Sequence, residues 1–393
     1  MLHQPLPAFA ATEGAATPRI VLLGEAWGAD EDSYKRPFVG AAGRELFQLL
    51  GEAMPQVEPE LHARIAAKLR YGDVWLSYRR EWLEAAGIAI TNVLAFRPPG
   101  NSIDALCVKK GELAQPRSYP VPEMSRGKYL GEQFLGELDR LREELTHWRP
   151  NLVVALGGTA SWALLHTSAI GSVRGVSTQA VALVPGQKVL PTYHPAAILR
   201  QWQLRPITLA DLIKAQGESK FPEIRRPARR ILVNPTLEQV RNWTEETLAL
   251  AQAALAPPLL LSADIETAFR QITCIGFARA IDSALVIPFV DKGKPSWNYW
   301  NSADAERGAW DCVDRLLTSP HVEVLGQNFM YDMQYINPLG ISVERVRHDT
   351  MLLHHSMYPE LQKGLGFLGS CYTNESSWKM LRRFKPDSEK RDE

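Results

Sequence analysis

Short, wholly apolar segments alternate with amphipathic stretches through the first 215 residues, and this alternation constrains the fold more than any other feature. The apolar segments are Arg19–Gly24, Ile88–Phe96, Asn151–Leu156 and Lys188–Tyr193. Helical spacing marks the stretches between them, such as Gly43–Met54, Gly131–Trp148 and Thr159–His166. Strands that are apolar along their whole length and separated by helices are typical of a parallel sheet covered on both faces. The sequence therefore predicts a three-layer α/β/α domain over residues 19–216, preceded by a flexible N-terminus, residues 1–18.

The pattern changes after residue 230. Three strand-like segments follow one another with short turns, which indicates an antiparallel meander: Leu259–Thr267, Gln271–Ala280 and Ser283–Asp291. A helix (Ser302–Leu317), a strand (His321–Gly326) and a helix from Asn328 onward come next. This order predicts a ribonuclease-H-like fold with a mixed sheet over residues 231–393. Residues 217–230 lack periodicity and hold two prolines and a basic cluster, so they are predicted to form a linker, although the cluster could also contact phosphates.

Charge and cysteine content exclude several classes of protein. Lys+Arg and Asp+Glu each total 44, which argues against a binder that holds nucleic acid by bulk charge alone. The four cysteines lie far apart in the sequence, which argues against a disulfide scaffold and fits a reducing cytoplasm. Neither a signal peptide nor a membrane span is evident, so we expect a cytoplasmic protein with no membrane partner.

Polar and glycine-rich motifs follow the predicted strands of the first half. Gly24-Glu25-Ala26-Trp27-Gly28 leaves the first strand, and Arg36-Pro37-Phe38-Val39-Gly40 opens a helix. Asn92 ends the second strand, before Arg97-Pro98-Pro99-Gly100-Asn101, and Tyr193-His194-Pro195 follows the last. Because ligands of parallel sheets collect at the carboxyl ends of the strands, we expect these motifs to form one site.

Together these motifs resemble the uracil-DNA glycosylase superfamily, especially its iron–sulfur branch and related phage fusion proteins, from roughly Ile20 to Ala215. An enzyme of this kind extrudes a base into a pocket and recognises its Watson–Crick edge. The Asn92 carboxamide offers the donor and acceptor that suit uracil O4 and N3–H. Phe38 supplies a stacking face, and His194 could stabilise the negative charge that develops on O2.

The resemblance also implies roles for residues whose physical case is weaker. Glu25 and Glu31 occupy the places of carboxylates that line the pocket and position water, although either could simply cap a helix. The glycine-rich turns are expected to let the backbone approach the DNA phosphates closely, and their glycines include Gly24, Gly28 and Gly40. Arg200 is expected to contact phosphate rather than base, or simply to cover the surface.

Three departures from the family pattern bear on cofactors and on the pocket. Trp27 stands where proline is usual, and Phe96 stands where the iron–sulfur branch has a cysteine. With only Cys107 among residues 1–216, no four-thiolate cluster is expected in this half. The polar insertion Cys107–Tyr129 is either a DNA-contacting loop or an ordinary exposed loop.

A second constellation lies in the other half. Asp264 and Glu266 are two apart on one strand and so face the same side, while Asn328 and Asp332 are four apart on a helix. With the segments Val324–Asp332, His348–His355 and Tyr358–Leu365, they resemble the 3′–5′ exonuclease domain of family A DNA polymerases, from Ile231 to Lys379. The resemblance implies Mg²⁺ or Mn²⁺ on Asp264, Glu266 and Asp332, and DNA contact by Asn328.

The last exonuclease motif of that family, Tyr-x-x-x-Asp, is missing. Tyr358 is followed four residues later by Gln362, and Tyr372 by Ser376. We therefore predict weak or absent exonuclease activity. Asp349 is expected to be structural, and His354 and His355 are expected to be core or capping residues.

Three functions remain open. The leading one is hydrolysis of the N-glycosidic bond of uracil, or of a related base, in single-stranded or primer-template DNA. The second is a non-catalytic DNA-binding or docking module of a phage replisome, with a separate DNA polymerase as partner. A nucleotide-dependent metabolic enzyme is disfavoured because neither G-x-G-x-x-G nor G-x-x-x-x-G-K-[ST] follows a strand.

Overall fold

The computed structural model describes residues 3–68, 74–113, 115, 120–253 and 257–375. These residues form two compact units. The first comprises the described residues up to Ile224 together with residues 366–375, and the second comprises the described part of Arg225–Leu365. The second unit is thus an insertion between two parts of the first.

The first unit contains eight strands and nine helices among its described residues up to Ile224. The strands are β1 (Glu13–Gly14), β2 (Ile20–Ala26), β3 (Ile88–Leu94), β4 (Cys107–Lys109), β5 (Lys128–Leu130), β6 (Leu152–Leu156), β7 (Thr178–Gln179) and β8 (Lys188–Thr192). The helices are α1 (Ala29–Tyr34), α2 (Ala41–Ala53), α3 (Pro59–Lys68), α4 (Val74–Ala86), α5 (Leu135–Trp148), α6 (Gly158–Leu165), α7 (Ile170–Val173), α8 (Pro195–Arg200) and α9 (Leu204–Glu218).

The main sheet of this unit has the order β1-β3-β2-β6-β8-β7. Strands β3, β2, β6 and β8 run parallel, while β1 and β7 close the two edges in antiparallel pairing. Two apolar clusters cover opposite faces of the sheet, one including Leu22 and Leu50 and the other Leu23 and Leu141. The predicted three-layer α/β/α domain with a short parallel sheet is confirmed.

The N-terminal segment is more ordered than the sequence indicates. Residues 1–18 are predicted to be flexible, yet Glu13 and Gly14 pair with Ile90 and Ala89 as the edge strand β1. Glu13 is only 5% exposed. The segment lacks apolar periodicity, and a buried ion pair formed by Glu13 holds it in place instead.

The predicted linker, residues 217–230, begins within the end of α9, and residues 220–229 contain neither helix nor strand. Residues 366–375, predicted to belong to the second domain, contact the first unit instead. Lys214 Nζ donates to the carbonyl oxygens of Ser370 (2.7 Å) and Thr373 (2.6 Å), near the end of a short helix. A cation at the carboxyl end of a helix satisfies carbonyls that have no partner within the helix. The predicted match, which ends at Lys379, extends outside the described residues.

The second unit has a mixed sheet of order β14-β13-β10-β11-β12-β9. Its strands are β9 (Arg230–Leu232), β10 (Leu259–Ala268), β11 (Gln271–Ala280), β12 (Ser283–Pro288), β13 (Val322–Gly326) and β14 (Val346–Asp349). Its helices are α10 (Leu237–Ala253), α11 (Ala303–Thr318), α12 (Phe329–Ile336) and α13 (Thr350–Met357). The next helix, α14 (Leu365–Tyr372), begins at Leu365, the last residue of the second unit.

Strands β10, β11 and β12 form the predicted antiparallel meander, and β13 pairs with β10 in parallel. The predicted mixed α/β fold of the second half is confirmed. In the polar insertion of the first unit, β4 and β5 pair as a small antiparallel hairpin, while residues 114 and 116–119 of that insertion are not described. No helix in the described part of the chain has the length and apolar character needed to cross a membrane.

Candidate active site

The carboxyl ends of β2 and β3 bring the first two predicted site residues together. Gly24 is the register partner of Asn92 in the parallel pair. A Cβ atom placed on Gly24 would lie 2.1 Å from Asn92 Oδ1 and 2.4 Å from Phe38 Cζ. Because real Cβ atoms do not approach other atoms this closely, any larger residue at position 24 would displace the side chains of Asn92 and Phe38. The amide of Asn92 and the ring of Phe38 therefore meet over the backbone of Gly24.

Phe38 is held in a strained backbone conformation. Its φ is +53°, in the left-handed region, and its side chain is almost fully buried. Non-glycine residues rarely adopt this conformation unless the surrounding structure enforces it. The ring centroid of Phe38 lies 5.7 Å from that of His194, with an angle of 27° between the planes. The structure thus brings together Phe38, Asn92 and His194, as the sequence predicts.

Asn92 is 2% exposed, and the hydrogen bond from Arg140 to its backbone carbonyl oxygen fixes the strand end that carries its carboxamide. A carboxamide has one acceptor and two donors, and such groups favour hydrogen-bond partners when they are buried. Asn92 therefore offers one acceptor and two donors to a ligand at this strand end.

His194 immediately precedes helix α8 and acts as its N-cap. Its Nδ1 accepts a hydrogen bond from the backbone N–H of Ala196 at 3.1 Å. Because Nδ1 is an acceptor, the neutral ring carries its proton on Nε2 and can donate there. Burial, together with the charge of Arg200, lowers the pKa of His194 to about 4. The imidazole is therefore neutral at physiological pH.

The two predicted carboxylates differ in their surroundings. Glu25 is half-buried, and its Oε2 accepts a hydrogen bond from the Thr159 hydroxyl at 2.5 Å. Thr159 lies in the first turn of α6, directly after Gly157 and Gly158. Glu25 is thereby oriented at the same strand end as Asn92.

Glu31 uses both of its carboxylate oxygens on backbone groups. Oε2 accepts from Gly28 N–H (3.1 Å) and Oε1 accepts from Gly40 N–H (2.9 Å). It therefore ties together the two glycine turns that the sequence assigned to phosphate or base contact. Glu31 could either position water in the pocket or hold the backbone in a structural role. The structural role accounts for both of its oxygens.

The remaining predicted residues of the first unit lie around this cluster. Arg200 is exposed at the end of α8, close enough for its charge to act on His194. Trp27 is buried against Ala11 and Ala95, and its indole Nε1 has no hydrogen-bond partner in the described chain. Trp27 is therefore part of the packing beneath the Gly24–Gly28 turn.

A buried arginine that the sequence did not reveal supports Phe38. Arg79 on α4 is 1% exposed and donates to the carbonyl oxygens of Phe38 (2.6 Å) and Pro37 (3.1 Å). The same guanidinium pairs with Glu13, which also receives two hydrogen bonds from Arg36. Burial alone would raise the pKa of Glu13, but Arg79 and Arg36 outweigh it and lower that pKa.

A second buried arginine supports Asn92 in the same way. Arg140 on α5 donates to the carbonyl oxygens of Asn92 (2.7 Å) and Val93 (3.1 Å). Its other nitrogens bind Glu137 and Glu144, which are fully buried on the same helix. The strand end that carries Asn92 is therefore fixed by a charged donor rather than by sheet pairing alone.

The strand end before His194 has a comparable support. The Thr192 hydroxyl donates to Asp211 Oδ2 at 2.6 Å, and Arg174 pairs with both oxygens of the same carboxylate. Burial alone would lower the pKa of Arg174, but the Asp211 carboxylate outweighs it and raises that pKa, while burial raises the pKa of Asp211 itself.

The side chains around Phe96 do not fit an iron–sulfur cluster. Its ring packs against the rings of His3 (4.2 Å between centroids) and Phe134 (5.6 Å). Cluster iron is held by thiolates, and these aromatic contacts offer none.

In the second unit, Asp264 and Glu266 are exposed on the same side of β10, as predicted. Asp332 is 3% exposed, and its Oδ1 accepts a hydrogen bond from Ile265 N–H at 2.8 Å. Burial and the nearby charges of Asp264 and Asp349 raise the pKa of Asp332 to about 6. The negative charges of Asp264 and Asp349 therefore oppose ionisation of Asp332.

The described residues do not assemble into a metal site. Among them, no group of three or more His, Cys, Asp or Glu side chains is placed to hold a metal ion. Asp349 accepts hydrogen bonds from the backbone N–H groups of Asn328, Phe329, Met351 and Leu352, so the prediction that it is structural agrees with its contacts. Asn328 has a left-handed φ of +58° at the start of α12.

Comparison with known proteins gives consistent results for the first unit. The chain is 30% identical to a type-4 uracil-DNA glycosylase of Thermotoga maritima over 207 residues, which cover 52% of this chain and 80% of that protein. The type-4 uracil-DNA glycosylases of Archaeoglobus fulgidus and Pyrobaculum aerophilum are each 29% identical, over 78% and 74% of their lengths and 52% and 49% of this chain.

Among solved structures, Escherichia coli RNase D, an exoribonuclease, aligns with 38% of this chain and 34% of its own at a TM-score of 0.26 and 11% identity, which is too low to support an argument. The family model described as the uracil DNA glycosylase superfamily matches residues 11–215, which contain all of the strand-end residues described above. The chain therefore belongs to the uracil DNA glycosylase superfamily.

Proposed function

We propose that the first unit hydrolyses the N-glycosidic bond of uracil, or of a closely related pyrimidine, in DNA. The observation that carries the proposal is the buried side chain of Asn92, which meets the ring of Phe38 at the strand end beside Gly24. Family membership and the type-4 uracil-DNA glycosylases among its relatives support the reaction class.

Asn92 would select the base. Its N–H donates to uracil O4, and its oxygen accepts from uracil N3–H. Cytosine presents the opposite pattern, with a donor at C4 and an acceptor at N3. With the amide in the orientation that suits uracil, bound cytosine would leave both the base and Asn92 unsatisfied in a buried site.

His194 would stabilise the leaving group. When the glycosidic bond breaks, its electron pair moves onto the base, and negative charge develops on O2. A neutral imidazole that donates from Nε2 can stabilise this charge without first transferring its proton. The hydrogen bond from Ala196 to Nδ1 fixes the tautomer that this role needs.

Glu25 would position the attacking water. Its carboxylate is fixed by Thr159 and remains partly exposed. A water molecule that donates to Glu25 can attack the sugar C1′ as the base departs, and its proton then passes to the carboxylate. The products are free base and an abasic sugar. Arg200 would contact a flanking phosphate, whereas the N–H groups of Gly28 and Gly40 already donate to Glu31.

The test is release of free uracil from an oligonucleotide that contains a single uracil, followed by alkaline cleavage at the abasic site. We expect release by the intact protein and a loss of at least about 100-fold in Asn92→Ala, the scale of lost transition-state contacts. Asn151→Ala is the matched control, because Asn151 lies at the opposite end of β6 and its amide bonds Ser219. Equal rates in wild type and Asn92→Ala would refute the proposal.

A non-catalytic DNA-binding module is the second candidate. The observation that favours it is Trp27, buried beneath the site in place of the usual proline, with an indole N–H that lacks a partner in the described chain. Tight, salt-sensitive binding of uracil-containing DNA without base release would support this function. Catalytic release of uracil would exclude it.

For the second unit we propose an exonuclease-like domain with weak or no activity, which could hold a DNA strand or a separate DNA polymerase. The basis is the Asp264-Ile265-Glu266 and Asn328–Asp332 motifs on a mixed sheet, together with Gln362 and Ser376, which stand four residues after Tyr358 and Tyr372 where a Tyr-x-x-x-Asp motif would have aspartate. Rapid Mg²⁺-dependent degradation of single-stranded DNA, abolished by Asp264→Ala, would contradict the proposed weakness.

A further inference from the structure

Three points join the N-terminal segment to the interior of the first unit. We call residues 3–15 the N-terminal strap. His3 Nε2 lies 2.7 Å from Glu137 Oε1, and the backbone N–H of Phe9 donates to Glu144 Oε1 at 3.1 Å. Glu13 pairs with Arg79. The strap therefore contacts Glu137 and Glu144, the carboxylate partners of buried Arg140. It also supplies Glu13, the carboxylate partner of buried Arg79.

Both arginines act on the backbone of base-pocket residues. Arg79 holds the carbonyl oxygen of Phe38, and Arg140 holds that of Asn92. A guanidinium is planar and carries several fixed donors, so it can bridge a carboxylate and two carbonyls at once. An ammonium group cannot reproduce this geometry.

The two supports counter specific structural costs. Phe38 adopts a left-handed φ that a non-glycine residue avoids, and the carbonyl contact with Arg79 is one of the interactions that maintain it. Buried arginines in turn require charged partners, which Glu13, Glu137 and Glu144 supply. Without the strap, Arg79 would lose the carboxylate that keeps it in place.

We propose that the N-terminal strap positions the base pocket by completing the Arg79 and Arg140 networks, so that Glu13, Arg79 and Arg140 are positioning residues for base release. The inference rests on the proposed glycosylase function and deepens it. None of the three contacts the base; each acts through the backbone of Phe38 or Asn92. A displacement of about 1 Å at such residues is enough to lower a rate by about 100-fold.

The experiment compares three variants of the full chain. The double variant Glu13→Gln/Arg79→Met removes both charges and so avoids leaving one of them buried alone. Arg79→Lys keeps the positive charge and loses the planar guanidinium with its several fixed donors. Arg205→Met is the matched control, because Arg205 also pairs with two glutamates, Glu45 and Glu52, but donates to no pocket carbonyl among the described contacts.

Two readouts separate positioning from general stability. The first is the single-turnover rate of uracil release at saturating protein, measured beside the Kd for a uracil-free oligonucleotide. We expect the double variant to lose at least about tenfold in rate with less than a twofold change in Kd. Arg79→Lys should fall between it and the wild type, and Arg205→Met should stay within twofold of the wild type.

The second readout is amide hydrogen exchange of residues 38–40, which reports the turn itself whether or not base is released. We expect exchange at least about tenfold faster in the double variant than in Arg205→Met. Unchanged exchange, or an equal loss of rate in Arg205→Met, would overturn the inference. If the double variant does not fold, Arg79→Lys carries the same test. A wild-type protein that releases no uracil would refute the proposed glycosylase function. The hydrogen-exchange result would then decide whether Glu13 and Arg79 hold the turn at residues 38–40.

Discussion

A methyl group added at Gly24 tests the pocket directly. In Gly24→Ala the new Cβ would lie 2.1 Å from Asn92 Oδ1, 2.4 Å from Phe38 Cζ and 2.6 Å from Phe38 Cε2. Each distance is roughly 1 Å or more below an ordinary van der Waals contact, so the amide and the ring must both retreat. Gly24 lies within β2 and has no positive φ, so alanine is compatible with the backbone, and only the side-chain overlap is tested.

The magnitude follows from this overlap. Overpacking a well-packed site costs about 1–3 kcal/mol, which predicts a fall in Tm of a few degrees. The effect on base release should be larger, because a 1 Å displacement of a group that orients the substrate costs on the order of 100-fold. The variant should therefore remain folded and lose most of its activity.

The assay is single-turnover release of uracil from a single-stranded oligonucleotide, with thermal melting of each protein in parallel. Gly217→Ala is the control, since no atom lies within 4 Å of its added Cβ and the residue is in helix α9. It should melt at or slightly above the wild-type temperature and keep full activity. A Gly24→Ala protein that releases uracil within threefold of the wild type would refute the reasoning.

Three further predictions concern ionisable groups. Uracil release should stay constant from pH 8 down to about 5, because the pKa of His194 is lowered to about 4; a midpoint near 6.5 would show that the ring is not desolvated. Asp332→Asn should raise Tm at pH 8. Because the pKa of Asp332 is raised to about 6, its charged carboxylate destabilises the folded protein above that pH, by about 3 kcal/mol at most. This gain should vanish as the pH falls toward 4, and a gain independent of pH would contradict it. Glu31→Gln should lose one of its two backbone hydrogen bonds and about 1–2 kcal/mol of stability, with base release reduced less than tenfold; a hundredfold loss at unchanged Tm would restore a catalytic role.

The strand ends could be predicted because their signals are local. The apolar segment Ile88–Phe96 predicts β3 to within two residues, and Lys188–Tyr193 predicts β8 to within one. Since parallel strands place their carboxyl ends at one edge, the convergence of Asn92 and His194 follows from these segments. Phe38 could be added only through its motif and the family resemblance.

The buried arginines could not be predicted. Arg79 and Arg140 lie on amphipathic helices, where an arginine is normally solvated, and nothing local distinguishes them from their exposed neighbours. The partner of Arg79 is Glu13, which lies 66 positions earlier in the chain, within a segment without hydrophobic periodicity. Long-range ion pairs of this kind leave no periodic signal, and for that reason the N-terminal residues were predicted to be flexible.

The carboxylates of the second unit show a different limit. Alternation along β10 correctly places Asp264 and Glu266 on one side. It does not determine whether Asp332 comes within ligand distance of both, and its hydrogen bond to Ile265 N–H gives it a structural partner. Sequence spacing fixes the side of an element on which a group lies, but not the separation between elements.

The central claim is that Phe38, Asn92 and His194 enclose one extruded pyrimidine. Its most direct test is the rate of uracil release, set beside that of cytosine, from otherwise identical single-stranded oligonucleotides. We expect rapid release of uracil, no detectable release of cytosine, and loss of uracil release in Asn92→Ala but not in Asn151→Ala. Equal release of both bases, or release that survives Asn92→Ala, would contradict it.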